Sequence, residues 1–259
     1  ACLEVRAAGP TLAVRRGPVR FALAGALTAT LIRADGDEEE IPAWQSITLN
    51  VDDELQVGFL SGGTAYLAVS GGFGVPVQLG SRSTYQRAEI GTALALDLQI
   101  PCAAVSDGRE AAAPPWVHDE GPIRVMLGPQ DDHFTPEAMG DLLNESYRAT
   151  AQSDRMGMRL EGKTLAHKAP ALADIVSDGV APGAIQVPGN GQPIILLADC
   201  QTVGGYPKIA TVVSADLPRL AQVKAGQAIR FAAVDAAQAV QARVTQAARW
   251  EAWAAGINY

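Results

Sequence analysis

The chain has 259 residues, 48% hydrophobic and 19% charged, and its 20 Lys+Arg against 28 Asp+Glu give a formal net charge of −8. At roughly 150 residues per domain, such a length holds one large or two modest globular domains with an ample buried core, which excludes a disordered chain. The acidic balance and the absence of any basic run exclude nucleic acid and anionic membrane surfaces as electrostatic partners, leaving small molecules and other proteins.

With 26 Gly, 16 Pro and 5% aromatic residues, the composition favours many short strands joined by tight turns over a helical bundle. The N-terminus, Ala1-Cys2-Leu3-Glu4-Val5-Arg6, lacks the basic-then-apolar order of a secretory signal and starts directly in strand-like sequence, so the chain is expected to begin inside a longer one. Residues 1–105 read as a β subdomain with strands near 12–14, 19–23, 46–49, 54–59 and 65–69, each a compact or alternating apolar run bounded by Gly, Pro or Asp. Residues 106–117 carry no periodicity and end near Pro114-Pro115, as a solvated linker does, so the domain boundary is placed there, with a second subdomain over 118–259.

The second half restarts with a strand at 123–127. Thr135 then supplies an N-cap, with Pro136 at the first helical position and Glu137 near the positive end of the dipole, so a short helix runs to about Asn144 with Met139, Leu142 and Leu143 on one face. Strands follow at 156–160, 184–187 and 194–198, the last two flanking the hairpin signal Pro188-Gly189-Asn190-Gly191. Asp216 is a capping candidate for a helix over 217–222, and an Ala- and Gln-rich helix over 236–255 follows Asp235, with Gly256 as a left-handed stop. Cys2, Cys102 and Cys200 are odd in number and far apart, which gives no disulfide framework and no C-x-x-C pair and suits a reducing cytoplasm. The longest apolar run, near 194–198, falls far short of the roughly 20 residues that span a bilayer.

Four stretches concentrate chemistry. The first runs from Leu197 to Lys208, a strand followed by Asp199, Gln201, Thr202, Gly204, Gly205 and Tyr206. Asp199 at a strand end suits a base or a group orienting an amide N–H, Lys208 suits carboxylate binding, and the paired glycines permit close backbone approach and oxyanion stabilisation; an ordinary turn with a solvated Lys208 accounts for the string equally well. In Gln130-Asp131-Asp132-His133, adjacent carboxylates and a histidine titrating near neutrality are one reading, and capping with dipole compensation is the preferred one. In Ser153 to Leu160, Asp154 and Arg155 form either a charged clamp for a polar substrate or a structural ion pair. Gly71-Gly72-Phe73-Gly74, followed by Leu79-Gly80-Ser81-Arg82-Ser83-Thr84-Tyr85, is glycine-rich but is neither a phosphate-binding P-loop nor a dinucleotide fingerprint. The three histidines, His118, His133 and His167, have no metal-ligand spacing, and G-x-S-x-G is absent, so neither a metal site nor a nucleophile elbow is expected.

Taken together, Ala65 to Phe73, Leu79 to Tyr85, Gly128-Pro129-Gln130, Ser153 to Leu160, Ser177-Asp178-Gly179, Gly183 to Pro188 and Asp199 to Lys208 resemble the biotin-dependent carboxyltransferase family, also labelled allophanate hydrolase subunit 2. The resemblance covers nearly the whole chain. It implies two cyclophilin-like β-barrel subdomains with a few peripheral helices. It also implies a partner of the allophanate hydrolase subunit 1 type, related to the Kip kinase inhibitor, and a lactam-utilisation subunit. Two departures stand out: the T-V-Q-D-x-G-R-like segment that usually comes first is missing, and after Arg87 the usual turn is replaced by the shorter Glu89 to Asp97.

The function the resemblance implies first is a cytoplasmic, ATP-dependent 5-oxoprolinase complex that opens a lactam to glutamate. Asp199, Lys208 and Asp154 would then be catalytic, and Gln201, Thr202, Gly204, Gly205, Tyr206, Arg155, Gln130, Arg82 and Ser83 would bind substrate, with ATP handled by partner subunits because this chain has no P-loop. The alternatives are carboxyl transfer from carboxybiotin to urea or a urea-like amide, and non-catalytic binding of a kinase-inhibitor-like partner.

Overall fold

Period-two alternation dominates the first 70 residues and builds the first half of the computed structural model, which describes residues 1–60, 63–103 and 121–256. Strand β3 (Val19–Ala24) shows the pattern plainly: Val19, Phe21 and Leu23 are buried while Arg20, Ala22 and Ala24 are half-buried. It pairs antiparallel with β6 (Ser46–Leu49) and β8 (Ala65–Val69), and β8 pairs with β1 (Leu3–Val5). A second antiparallel sheet has the order β2 (Thr11–Ala13), β7 (Glu54–Val57), β4 (Thr28–Ile32) and β5 (Glu38–Pro42). The inward residues of both sheets, among them Phe21, Leu31, Ile41, Leu49, Leu55 and Leu67, share one core. At the β6–β7 turn the buried Asp53 accepts hydrogen bonds from the Asn50 and Ala34 N–H groups and from Arg33. Burial alone would raise its pKa, but these three donors outweigh it and hold the carboxyl below its usual value.

Strands β4 and β5 escape the sequence reading. Glu38, Glu39 and Glu40 have low strand propensity, and β5 is an edge strand in which Ile41 alone is buried, so its pairing with β4 supplies what its composition does not. Charges on an exposed edge also discourage pairing with another chain.

The chain divides into two compact units, Ala1–Val117 with Ala252–Tyr259, and His118–Glu251. The linker expected over 106–117 and His118 lie outside the described residues.

The second unit is built on an eight-stranded sheet. Its strands are β9 (Ile123–Leu127), β10 (Tyr147–Ala149), β11 (Gly157–Glu161), β13 (Ala184–Gln186), β14 (Ile194–Leu196), β16 (Lys208–Val212), β17 (Ala228–Ile229) and β18 (Phe231–Ala233), and β12 (Asp178–Gly179) and β15 (Val203–Gly204) form a separate ribbon. The spatial order is β17-β10-β11-β14-β13-β16-β9-β18. Its two edge strands, β17 and β18, are separated in sequence by Arg230 alone, so the sheet must curl until its edges meet, which makes it a barrel. Helix α1 (Pro136–Asn144) inserts Ala138 and Leu142 into the barrel core, and Thr135 caps it as expected, its Oγ1 accepting from the Ala138 N–H at 3.1 Å. The hairpin over 188–191 also forms between β13 and β14, closed by the Gly191 N–H donating to the Pro188 carbonyl.

Three local expectations are corrected. Helix α2 (Leu217–Leu220) is shorter than its pattern, and Asp216 makes no side-chain cap; its carboxylate turns instead to Arg124 and Arg219, because two guanidinium groups outcompete a backbone N–H. Asp131 and Asp132 do not cap α1: they lie in a 3-10 turn of their own, Asp131–His133, and the cap falls to Thr135. Helix α3 (Ala236–Gly256) includes Gly256, which is therefore not a left-handed stop. Its start follows expectation, with Asp235 and Gln238 exchanging side-chain-to-backbone hydrogen bonds as a capping box.

Candidate functional site

Ile185 and Val187 point into the barrel core, so Gln186 between them faces outward from it. Across the antiparallel pair, Gln186 lies opposite Lys208, and the register slips beside it, leaving Ile209 as an extra residue on β16. Lys208, expected in a loop, is therefore the first residue of a strand. An outward-facing Gln and Lys would ordinarily be solvated, yet Gln186 is 2% exposed and Lys208 4%.

The β12–β15 ribbon accounts for this burial. Lys208 Nζ donates to Asp178 Oδ2 at 2.6 Å and to the Gly179 carbonyl at 3.0 Å, both on β12. Gln186 Nε2 donates to the Tyr206 carbonyl at 3.3 Å. On β15, a Cβ at Gly204 would fall 2.5 Å from Gln186 Nε2, so glycine is required for the ribbon to come this close. Gln130, which follows the cis Gly128–Pro129 bond beyond β9, clamps the start of β16: its N–H donates to the Lys208 carbonyl and its Oε1 accepts from the Lys208 N–H, each at 3.0 Å. Its side chain also reaches Asp178.

Asp178 is 54% exposed on its outer side. The Lys208 hydrogen bond, then the Gly179 N–H and the Lys208 charge, hold its carboxyl below the usual range. An ammonium has three N–H donors, and among the described residues two of those on Lys208 have partners.

The remaining sequence candidates fall in other places. Asp199 and Arg155 form a bidentate pair, Nε to Oδ2 at 2.7 Å and Nη2 to Oδ1 at 2.9 Å, reinforced by the Asp199 N–H donating to the Arg155 carbonyl. Asp154 accepts from the Met156 and Gly157 N–H groups and shapes the turn into β11, so Arg155 takes Asp199 as its carboxylate partner. Thr202 and Gly205 contribute backbone carbonyls, to the N–H groups of Val180 and Ile175; Gln201 is exposed, and Tyr206 presents its ring partly to solvent. Arg82 and Ser83 belong to the first unit, where Arg82 Nε donates to the Val75 carbonyl and the Ser83 N–H to Ser81 Oγ. Burial, then the Asp199 charge, pushes the Cys200 thiol up, which leaves it a poor nucleophile.

Of the sequence candidates the structure thus joins Lys208, Gln130, Gly204 and Tyr206, and adds Asp178 and Gln186, which the sequence reading did not select. The signal available in the sequence was a lone glutamine at the end of the apolar run Gly183-Ala184-Ile185, directly before Val187. Among the described residues no group of three or more His, Cys, Asp or Glu is arranged to hold a metal ion. The glycine-rich turn of the first unit does not fit a nucleotide phosphate. A Cβ at Gly71 would meet Ala103 Cβ at 2.3 Å and one at Gly72 would meet the Ala1 nitrogen at 2.4 Å, so these glycines admit the chain's own backbone.

Comparison with known proteins identifies the family of the chain. Residues 1–233 match the family described as carboxyltransferase domain, subdomain A and B. A 5-oxoprolinase subunit of Haemophilus influenzae is 33% identical over 227 residues, covering 83% of this chain and 69% of that protein. The corresponding 5-oxoprolinase subunit of Escherichia coli is 37% identical over 158 residues, covering 59% of this chain, and the match spans half the length of that relative. The crystal structure of the K. lactis urea amidolyase superposes with a TM-score of 0.81 at 25% identity, over 97% of this chain and 17% of that one. The match runs through the first unit and most of the second, Gln130, Asp178, Gln186 and Lys208 included, and the chain belongs to the carboxyltransferase domain family, subdomains A and B.

Proposed function

We propose that this chain is the carboxyltransferase-type subunit of a 5-oxoprolinase complex, which hydrolyses the lactam of 5-oxoproline to glutamate together with an allophanate hydrolase subunit 1-type partner and a lactam-utilisation subunit. The observation that carries the reading is the buried Lys208 ammonium, two of whose three donors have partners among the described residues. Amide resonance makes a lactam carbonyl a weak electrophile, and opening the ring places negative charge on its oxygen. A fixed ammonium in a site with little water stabilises that charge without reorganising as it develops. Asp178, Gly179 and Gln130 hold Lys208 in place, which is the preorganisation such stabilisation needs. The likeness to two proteins named as 5-oxoprolinase subunits favours a lactam as the amide.

ATP would supply the phosphoryl group in the complex: the lactam oxygen, its charge steadied by Lys208, would attack the terminal phosphorus and release ADP, and after water adds to the ring carbon that oxygen would leave as phosphate while the ring C–N bond opens. Because the glycine turn of this chain is filled by its own backbone, nucleotide binding is assigned to the partner subunits, and the complex is read as a cytoplasmic heteromer. The likeness to urea amidolyase favours a second reading, carboxyl transfer from carboxybiotin to urea, whose acceptor also carries an amide carbonyl.

The test is to co-purify the chain with its partner candidates and measure glutamate formed from 5-oxoproline with and without ATP. ATP-dependent glutamate is expected. No glutamate from the full complex overturns the proposal, and biotin-dependent incorporation of bicarbonate into urea establishes the second reading in its place.

A further inference from the structure

Gln186 is a buried polar side chain of the second unit in which, among the described residues, only one of the two amide ends is hydrogen-bonded. Its Nε2 is committed to the Tyr206 carbonyl, which fixes the orientation of the amide, since the reverse flip would set oxygen against oxygen. Among the described residues Oε1 accepts no hydrogen bond. It is also absent from the sealed unpartnered polar atoms, which include Tyr147 Oη and Thr150 Oγ1, so solvent or a ligand reaches it. An acceptor held in one orientation on a side chain 2% exposed is costly unless something donates to it.

Lys208, directly opposite on β16, offers the complementary group, an N–H donor. The backbone register thus sets a residue with an acceptor to offer opposite one with a donor to offer, and an amide held cis in a ring presents the complementary C=O and N–H along one edge. We propose that Gln186 Oε1 accepts the ring N–H of a lactam while Lys208 donates to its carbonyl, which makes Gln186 the residue that selects lactams over lactones. This assignment rests on the lactam-hydrolase reading for its substrate, and the cyclic-urea probe below separates the two. A lactone of the same shape carries an ether oxygen where the lactam carries N–H, so it sets two acceptors against each other and leaves Gln186 unpaired.

The experiment is titration calorimetry on the chain in complex with its partner subunit, with three probes: 5-oxoproline, its ring-oxygen counterpart 5-oxotetrahydrofuran-2-carboxylate, and the cyclic urea 2-imidazolidone. The wild type is expected to bind 5-oxoproline about 10- to 100-fold more tightly than the lactone. Gln186→Met, similar in volume and without the acceptor, should bind the two equally by weakening on the lactam alone. Gly204→Ala is a second variant, which keeps Gln186 but drives a methyl into its Nε2 and should lower the same ratio. Retention of the lactam preference in Gln186→Met overturns the assignment, as does failure of the wild type to bind any of the three probes. Binding of 2-imidazolidone without 5-oxoproline, lost in Gln186→Met, would overturn the lactam reading and uphold the role of Gln186.

Discussion

Replacing Lys208 with Met separates function from stability. The Lys208 side chain is 5% exposed, so in the folded state its ammonium has exchanged water for Asp178 Oδ2 and the Gly179 carbonyl. Met follows the same unbranched path and removes a buried charge. The hydrogen bonds lost and the desolvation relieved are of similar size, and Asp178, more than half exposed, returns to water. The net change in unfolding free energy should stay within about 1 kcal/mol, a shift of roughly 2–4 °C in Tm for a chain of this size. The transition state has no such compensation. Losing a fixed donor at the oxygen that gains charge costs about 2.7–4 kcal/mol, or about 10²–10³ in kcat. The assay is steady-state glutamate release from 5-oxoproline by the assembled complex, run beside thermal unfolding of the same preparation. Turnover within threefold of wild type refutes the electrostatic role, and a large fall in Tm with proportionate loss of activity assigns Lys208 to structure.

Other consequences follow from the buried polar groups. Asp216 is fully buried and accepts from the Arg124 N–H and guanidinium and from Arg219, so Asp216→Ala should destabilise the protein by about 3–5 kcal/mol in urea unfolding; a loss below about 1 kcal/mol would show that water replaces the carboxylate. Tyr147 is fully buried with no partner for its hydroxyl among the described residues, and burial, then Asp141 and Glu145, pushes its pKa up. Tyr147→Phe should therefore raise stability by about 1 kcal/mol, whereas a fall of that size would reveal a bound water. Burial, and more weakly the His133 charge, lowers the His167 pKa against the opposing Val187 carbonyl and Asp174, while the unfolded chain protonates near 6.5. Its contribution to stability is thus complete above about pH 6.5 and declines as pH falls through the lower native value. His167→Gln should flatten that part of the stability curve, and an unchanged slope argues against it.

Signals carried by neighbours along the chain were legible in advance. Thr135-Pro136-Glu137 specifies a helix start, Asp235 marks another, and Gly191 closes a hairpin, because each interaction spans at most three residues. The strands with clean alternation, β3 and β8 among them, were readable for the same reason. Strand β5 was not, since three successive glutamates adopt extended structure there through pairing with β4. Asp216 shows the converse. Its position before α2 marks a cap, but Arg124, 92 residues away in sequence, takes its carboxylate.

The candidate site divides along the same line. The sequence by itself determined the mainly β class, the family, and the concentration of polar and glycine residues around Lys208, because these reside in composition and in short contiguous strings. Only the tertiary structure decided which of those residues meet. The bulge at Ile185/Gln186 sets Gln186 opposite Lys208, the ribbon brings Asp178 onto an ammonium 30 residues further along, and Asp199 is drawn instead to Arg155. Burial turns an ordinary lysine and glutamine into a fixed donor and acceptor, and burial is a property of what the folded chain lays over them.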